Sequence, residues 1–272
     1  MPYFRFRHLL AGWLTLVLVL SGCDDPQPSV DSSLPPRLRD IQQSGTLTVG
    51  TALTSPFEYH DPSTNNLVGF DVDLATLIAD RLGVSLEWKE MAFADLLSEL
   101  NAGKVDMVIA AMYITPERET IVDFTQPYLA TGLVMVVQAG DTRISDFESL
   151  EGKTLGVKEG ATGERWADTL RDEQGIDMTI LRYETTLDSL DDLAAGLLDV
   201  VINDKLNTLE YIKTHPQVQI AGDVFDPAGL GIAVQSNDDD LRAFLNETLA
   251  DLDQSGRINQ LFNEWINPET TP

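Results

Sequence analysis

Residues 109–118 read Ile109-Ala110-Ala111-Met112-Tyr113-Ile114-Thr115-Pro116-Glu117-Arg118, and the fold is decided by how this stretch is read. The run Met107–Ala111 has the length and apolar content of a buried strand. Thr115 then has the character of a helix N-cap, with Pro116 at the first helical position. A strand is thus expected to hand its C-terminal end to a helix N-terminus. Arg118 would sit in that first turn, where the backbone already carries partial positive charge and a cation is disfavoured. Its presence there points to a bound anion, which free N–H groups and a guanidinium fork would both hold. A surface arginine paired with Glu117 or Glu119 is the alternative.

Upstream, Thr46–Gly50 and Ser85–Glu90 have strand character, and Asp71–Leu82 and Ala94–Asn101 have helical periodicity. Gly83 closes the first helix, and Asp61–Asn66 forms a hairpin turn. Alternation of this kind predicts a parallel sheet covered on both faces. Downstream the pattern returns. Leu97, Leu100, Ala102, Gly103, Asp106, Val108 and Ile109 are matched by Leu190, Leu193, Ala195, Gly196, Asp199, Val201 and Ile202, each 93 positions later. Seven identities on a helix-glycine-strand frame imply two lobes of similar build. The second lobe would hold strands at Thr154–Val157 and Met178–Tyr183, and helices up to Leu170, at Leu187–Ala195 and at Leu206–Lys213. A strand at Leu230–Val234 and helices over Leu241–Leu252 and Ile258–Trp265 would return to the first lobe, with a hinge near Leu133–Val137 and Ile220–Asp226.

The fold class is therefore α/β, two doubly wound lobes joined by a two-strand hinge. Residues 44–134 and 226–267 are assigned to lobe 1 and 135–225 to lobe 2. Open parallel sheets bind ligands beyond the carboxyl ends of their strands. Tyr113 and Arg118 come from such an end in one lobe, and Thr162 and Asp204 from the other. An arginine facing an aspartate across a cleft suits a zwitterion with carboxylate and ammonium groups.

The N-terminus reads as an export signal over residues 1–22, with Arg5 and Arg7 before the apolar run Leu9–Leu20. Leu20-Ser21-Gly22-Cys23 resembles a bacterial lipoprotein cleavage box, in which the cysteine is lipidated, and Cys23 is the sole cysteine. Asp24 resembles the residue that retains such lipoproteins at the inner membrane of Gram-negative bacteria. Residues 23–43, with Pro26, Pro28, Pro35 and Pro36, read as a solvated tether. A formal charge of −26 argues against nucleic acid as a partner. His8, His60 and His215 have no ligand spacing, so no metal or other cofactor is expected.

Three segments carry a resemblance to a known family: Gly69-Phe70-Asp71-Val72-Asp73-Leu74 with Ile78-Ala79 and Leu82, then Ala111–Arg118, then Asp123-Phe124-Thr125-Gln126-Pro127-Tyr128. In these the chain resembles the polar amino-acid-binding receptors, extracellular solute-binding family 3, that feed ABC importers on the type II periplasmic binding fold. The resemblance implies that Arg118 clamps the ligand α-carboxylate, helped by Thr162 and the backbone near Ala111, and that Asp204 takes the α-ammonium group. It places Phe93 against the ligand, with a core aromatic as the alternative. Phe57 is expected to pack within the lobe, and Lys158 either to reach the cleft or to stay solvated. Two departures reshape the site: Tyr113 stands where the family presents a small hydroxyl, and Thr54 where an aromatic is usual. Thr51 replaces an acid common in receptors for basic amino acids. The implied protein is a monomeric, non-catalytic receptor, exported and anchored at the cell membrane by lipid alone, on the periplasmic face of the inner membrane in a Gram-negative host, whose partners are an amino acid and an ABC permease. A cyclohexadienyl dehydratase-like enzyme, with Glu159, Glu164 or Asp204 as its acid, and a ligand-presenting partner of a membrane sensor are the alternatives.

Overall fold

The structure, a computed structural model, describes Met1 and residues 31–267; the rest of the export signal and Cys23 lie outside the described residues. Strands β1 (Thr46–Thr51), β4 (Ser85–Glu90), β5 (Met107–Val108), β6 (Val122–Phe124) and β12 (Ala233–Gln235) form one sheet of order β4-β1-β5-β12-β6. Strands β7 (Leu129–Gln138), β8 (Thr154–Lys158), β9 (Thr179–Tyr183), β10 (Val200–Asp204) and β11 (Val218–Leu230) form a second, of order β11-β7-β10-β8-β9. A hairpin, β2 (Tyr59–His60) with β3 (Leu67–Val68), turns at the expected Asp61–Asn66. Helices α1 (Pro36–Ser44), α2 (Phe70–Leu82), α3 (Leu96–Asn101), α7 (Asp239–Gln254) and α8 (Arg257–Trp265) belong with the first sheet. Helices α4 (Thr162–Asp172), α5 (Thr186–Ala194) and α6 (Lys205–Thr214) belong with the second.

Both sheets are mixed, where strand–helix alternation predicts parallel ones. β1 runs parallel to β4 and β5, but β12 is antiparallel to β5 and β6. In the second sheet β8 runs parallel to β9 and β10, while β7 is antiparallel to β10 and β11. The antiparallel members are those that carry the chain between lobes, because a strand leaving one sheet for the other needs no helical crossover.

The 93-residue echo has a physical cause. The Asp106 carboxylate accepts from Thr48 N at 2.8 Å and Asp199 from Thr154 N at 2.9 Å, each fastening the next strand. Gln235 donates to Leu100 O at 2.7 Å and Gln138 to Leu193 O at 3.3 Å, each closing a helix end. Gly103 and Gly196 turn these ends at φ 71° and 78°.

Two expectations are corrected here. The tether does not extend to residue 43. Pro36–Ser44 is helix α1, with Leu38 and Ile41 buried one turn apart and Gly45 closing it at φ 73°. Arg37 binds Asp106 at 2.6 Å and Asp238 at 3.0 Å, fixing the helix to the first lobe. The hinge is also displaced. Leu133–Val137 pairs along β10 and β11 inside the second sheet and is buried throughout, as five consecutive apolar residues require. The crossing lies nearer Tyr128–Thr131 and Ala228–Ile232, where Tyr128 N meets Leu230 O at 2.9 Å and Thr125 N meets Ile232 O at 2.9 Å. Phe57 packs within the lobe as expected, fully buried and edge-on to Phe70, which stacks on Tyr128 at 5.9 Å.

Candidate functional site

The loop after β5 is tied to the crossing strand: Ile114 N donates to Gly229 O at 2.9 Å and Gly231 N to Met112 O at 3.0 Å. Whatever moves the lobes therefore moves beside Arg118. The predicted helix at this point is only a 3₁₀ turn, Arg118–Thr120. Thr115 Oγ1 still accepts from Arg118 N, at 3.4 Å, but the chain must enter β6 at Val122 and no longer helix fits. The guanidinium, not a helix end, is what this loop offers an anion.

Arg118 donates to Tyr113 O at 2.7 Å and, across the lobes, to Gly160 O at 3.1 Å. Among the described residues no carboxylate lies within ion-pair distance of it, so the surface pairing with Glu117 or Glu119 is not formed. Burial pulls its pKa down to about 10, with Arg165 nearby adding to the effect. Gly160 lies so close to the other lobe that a Cβ there would sit 2.8 Å from Ala94 Cα, and its φ of 74° suits glycine.

Helix α4 supplies the opposite wall. Its N-cap, Ala161, has no side-chain oxygen to cap with, and the N–H groups of Thr162 and Gly163 carry no intramolecular hydrogen bond among the described residues. Asp204 ends β10 and caps α6, Oδ1 accepting from Asn207 N at 2.9 Å. Its Oδ2 accepts from Tyr113 OH at 2.7 Å and from Thr131 Oγ1 at 2.7 Å. Burial raises the Asp204 pKa against these hydrogen bonds, and burial with the adjacent carboxylate raises that of Tyr113.

One cavity between the lobes is lined by Arg118, Asp204, Thr162, Phe93, Tyr113, Ala111 and Thr54, the full set singled out from sequence. It encloses about 50 Å³, room for a few water molecules. An amino acid needs the lobes to part or the Tyr113 phenol to swing off Asp204. Phe93 is an inner-wall aromatic, 7% exposed, with Arg118 Cζ at 5.4 Å and Lys158 Nζ at 4.2 Å from its centroid. Lys158 reaches the cleft, its Nζ donating to Thr54 Oγ1 at 3.0 Å, and burial lowers its pKa to about 8. Thr51 is buried outside the lining, with its hydroxyl on Ile109 O at 2.9 Å. One implied role is corrected: the Ala111 amide is committed to Asp71 Oδ2 at 2.7 Å, with Ala111 held at φ 46°. Only its carbonyl and methyl remain for a ligand.

Behind Thr54 and Ala111 lies a pair of buried carboxyls that no motif announces. Glu58 and Asp71 are both fully buried, and three of their oxygens, both of Glu58 and Oδ1 of Asp71, have no hydrogen-bond partner among the described residues; a proton shared between the two groups pairs two of the three. Burial pushes Asp71 up to about 6 and Glu58 well above the usual range, with Asp71 adding to the latter. A folded pKa above the unfolded one means stability is fullest below the unfolded values and declines as pH rises through about 6. Glu58→Gln supplies the shared donor permanently. It is expected to match the parent near pH 4 and to exceed its melting temperature by a few degrees, about 1 kcal/mol or more, at pH 8. Melting curves across that range check it.

A family model described as bacterial extracellular solute-binding proteins, family 3, matches residues 47–268. The chain belongs to this family. The L-cystine-binding protein TcyJ of Escherichia coli (strain K12) is 28% identical over 86% of this chain and 87% of its own length. ABC transporter arginine-binding protein 1 of the same strain is 32% identical over 79% and 88%. A solved ancestral amino acid-binding protein, described as a precursor of cyclohexadienyl dehydratase, superposes with a TM-score of 0.78 at 29% identity, covering 85% of this chain and 99% of that one. The fold is that of type II periplasmic binding proteins, and this family 3 member is a solute-binding receptor rather than an enzyme. Of the acids a dehydratase reading would use, only Asp204 faces the cavity. Glu159 is exposed, and Glu164 is held by Gly160 N and Arg182.

Proposed function

We propose that this family 3 protein is a lipid-anchored receptor that closes its lobes on an amino acid and delivers it to an ABC import permease. The observation that carries this reading is a guanidinium without a carboxylate partner on one lobe and a carboxylate on the other, lining one cavity. Arg118 takes the ligand α-carboxylate in a forked geometry, with the Thr162 and Gly163 amides at the α4 N-terminus completing the cradle. Asp204 takes the α-ammonium group in the acceptor direction that Tyr113 OH now uses. Phe93 packs on the ligand and Thr54 closes the far side. Cys23 carries the lipid, lobe 2 is the part of the chain between the crossings at Tyr128–Thr131 and Ala228–Ile232, and lobe 1 is built from the described residues on either side, beginning with α1.

Closure follows from electrostatics. With the lobes apart, both charges are hydrated; with them together, each needs a partner, which the zwitterion provides. A thermal-shift panel of the twenty common amino acids on the mature protein tests this. A ligand at 100 times its Kd adds about 2.7 kcal/mol, a rise of roughly 5 to 10 °C for a protein of this size. A flat response to every amino acid, with the protein folded, would remove the reading.

A further inference from the structure

The cavity lining holds two cations, Arg118 and Lys158, and one carboxylate, Asp204. An amino acid with a neutral side chain answers Arg118 and Asp204 and leaves Lys158 over. The Lys158 ammonium is 9% exposed at the residue level, and of its three donors one is used, on Thr54 Oγ1. Its other close neighbour is the face of Phe93, 4.2 Å away. Among the described residues no carboxylate lies within ion-pair distance of it.

Glu58 is the acid on the first-lobe side; it attracts Lys158 from a distance but makes no ion pair or hydrogen bond with the ammonium, whose spare donors stay unused. Burial and the neighbouring Asp71 carboxyl both push its pKa up, which disfavours the charged form that would pair with Lys158. Arg118, the remaining charged neighbour on that side, repels Lys158. Asp204 attracts it, but both Asp204 oxygens already accept hydrogen bonds from Tyr113, Thr131 and Asn207. A buried ammonium with spare donors facing a cavity is costly until an anion arrives.

We propose that Lys158 sets the charge class of the ligand, so that the cleft takes an amino acid whose side chain ends in an anionic group. The charges then balance: two anionic groups on the ligand meet Arg118 and Lys158, and one ammonium group meets Asp204. A basic side chain is excluded, because it would bring a third cation to the Phe93 face that Lys158 and Arg118 already share. The arginine-binding relative shares about a third of its residues with this chain, yet this arrangement selects against arginine. The inference rests on the amino-acid reading above and narrows it.

Calorimetric titration of the mature protein with L-aspartate, L-glutamate, L-asparagine, L-glutamine, L-arginine and L-lysine tests it. An acidic amino acid is expected to bind at least about 10-fold more tightly than its amide, and the basic ones more weakly still. In Lys158→Met, of similar length and apolar, the acidic ligand is expected to lose about 30-fold or more while the amide changes little. Arginine, lysine or an amide binding as tightly as the acids in the parent overturns the charge assignment and leaves the receptor reading standing. An unchanged acid-to-amide ratio in Lys158→Met overturns the role of Lys158. Silence towards all six, together with a flat wider panel, takes both readings down. The parent titrations decide the matter even if Lys158→Met does not fold.

Discussion

Arg118→Ala is expected to lower affinity for the amino-acid ligand by about 30- to 4000-fold, the equivalent of roughly 2–5 kcal/mol, while the unliganded protein melts close to the parent. The size of the effect comes from what is left behind. A ligand carboxylate inside a cavity this narrow cannot keep its water, so without the guanidinium it is desolvated and unpaired. The fold has less at stake. Arg118 accepts no load from the hydrophobic cores, and its protein bonds are to two carbonyls, Tyr113 O and Gly160 O. Losing the second removes one of the contacts holding the lobes together, so a slightly more open resting state accompanies the loss. Arg118→Lys restores the charge but not the fork, and affinity between the parent and the alanine variant is expected. Titration of the three proteins beside their melting curves separates a binding defect from a folding one. Arg118→Ala binding as tightly as the parent would mean that the ligand's anionic end lies elsewhere.

The convergence of Arg118 and Asp204 was legible in the sequence because both sit at strand ends, and strand ends in open α/β sheets face the crevice whatever the packing details. The return of the chain to the first lobe was legible for a similar reason, since the last strand and helices repeat the alternating pattern. What failed depended on composition or on tertiary contact. Pro35 and Pro36 made Pro36–Ser44 look like linker, although the paired Leu38 and Ile41 one turn apart were a helical signal, weak against four prolines upstream and within. Leu133–Val137 joins the two halves in sequence and so resembles a hinge, whereas a run of five apolar residues belongs in a core. Asp71 has an ordinary reason to stand at a helix start, the backbone dipole, and nothing in its neighbours tells of Glu58 thirteen residues upstream pressing a second carboxyl against it. Lys158 was undecidable in the same way. A lysine after a buried strand can extend into water or fold inward, and only the position of Thr54 and Phe93 on the other lobe settles which.

Asp204→Asn and Asp204→Ala are expected to divide the two tasks this residue performs. Both lose the charge that meets the ligand ammonium, so both are expected to lose about 30-fold or more in affinity. Their stabilities should differ. Alanine removes the cap of α6, worth about 0.5–2 kcal/mol, and strands the Tyr113 and Thr131 hydroxyls that now donate to Oδ2. Asparagine keeps an oxygen for the Asn207 amide and an amide group between the two hydroxyls. The sign of the electrostatic part favours asparagine further. Burial raises the folded pKa of Asp204 above 3.8, so its contribution to stability is lost as pH rises through the folded value, and at neutral pH the ionised group is held at a cost. Asp204→Asn should therefore melt at or above the unliganded parent at pH 7, and Asp204→Ala several degrees below it. Adding ligand should reverse the order of parent and asparagine variant, because only the parent gains an ion pair on closure. If the asparagine variant instead kept the full ligand-induced rise in melting temperature, the carboxylate would be a structural cap alone, and the ammonium group would have to be held by something other than the residue that ends β10.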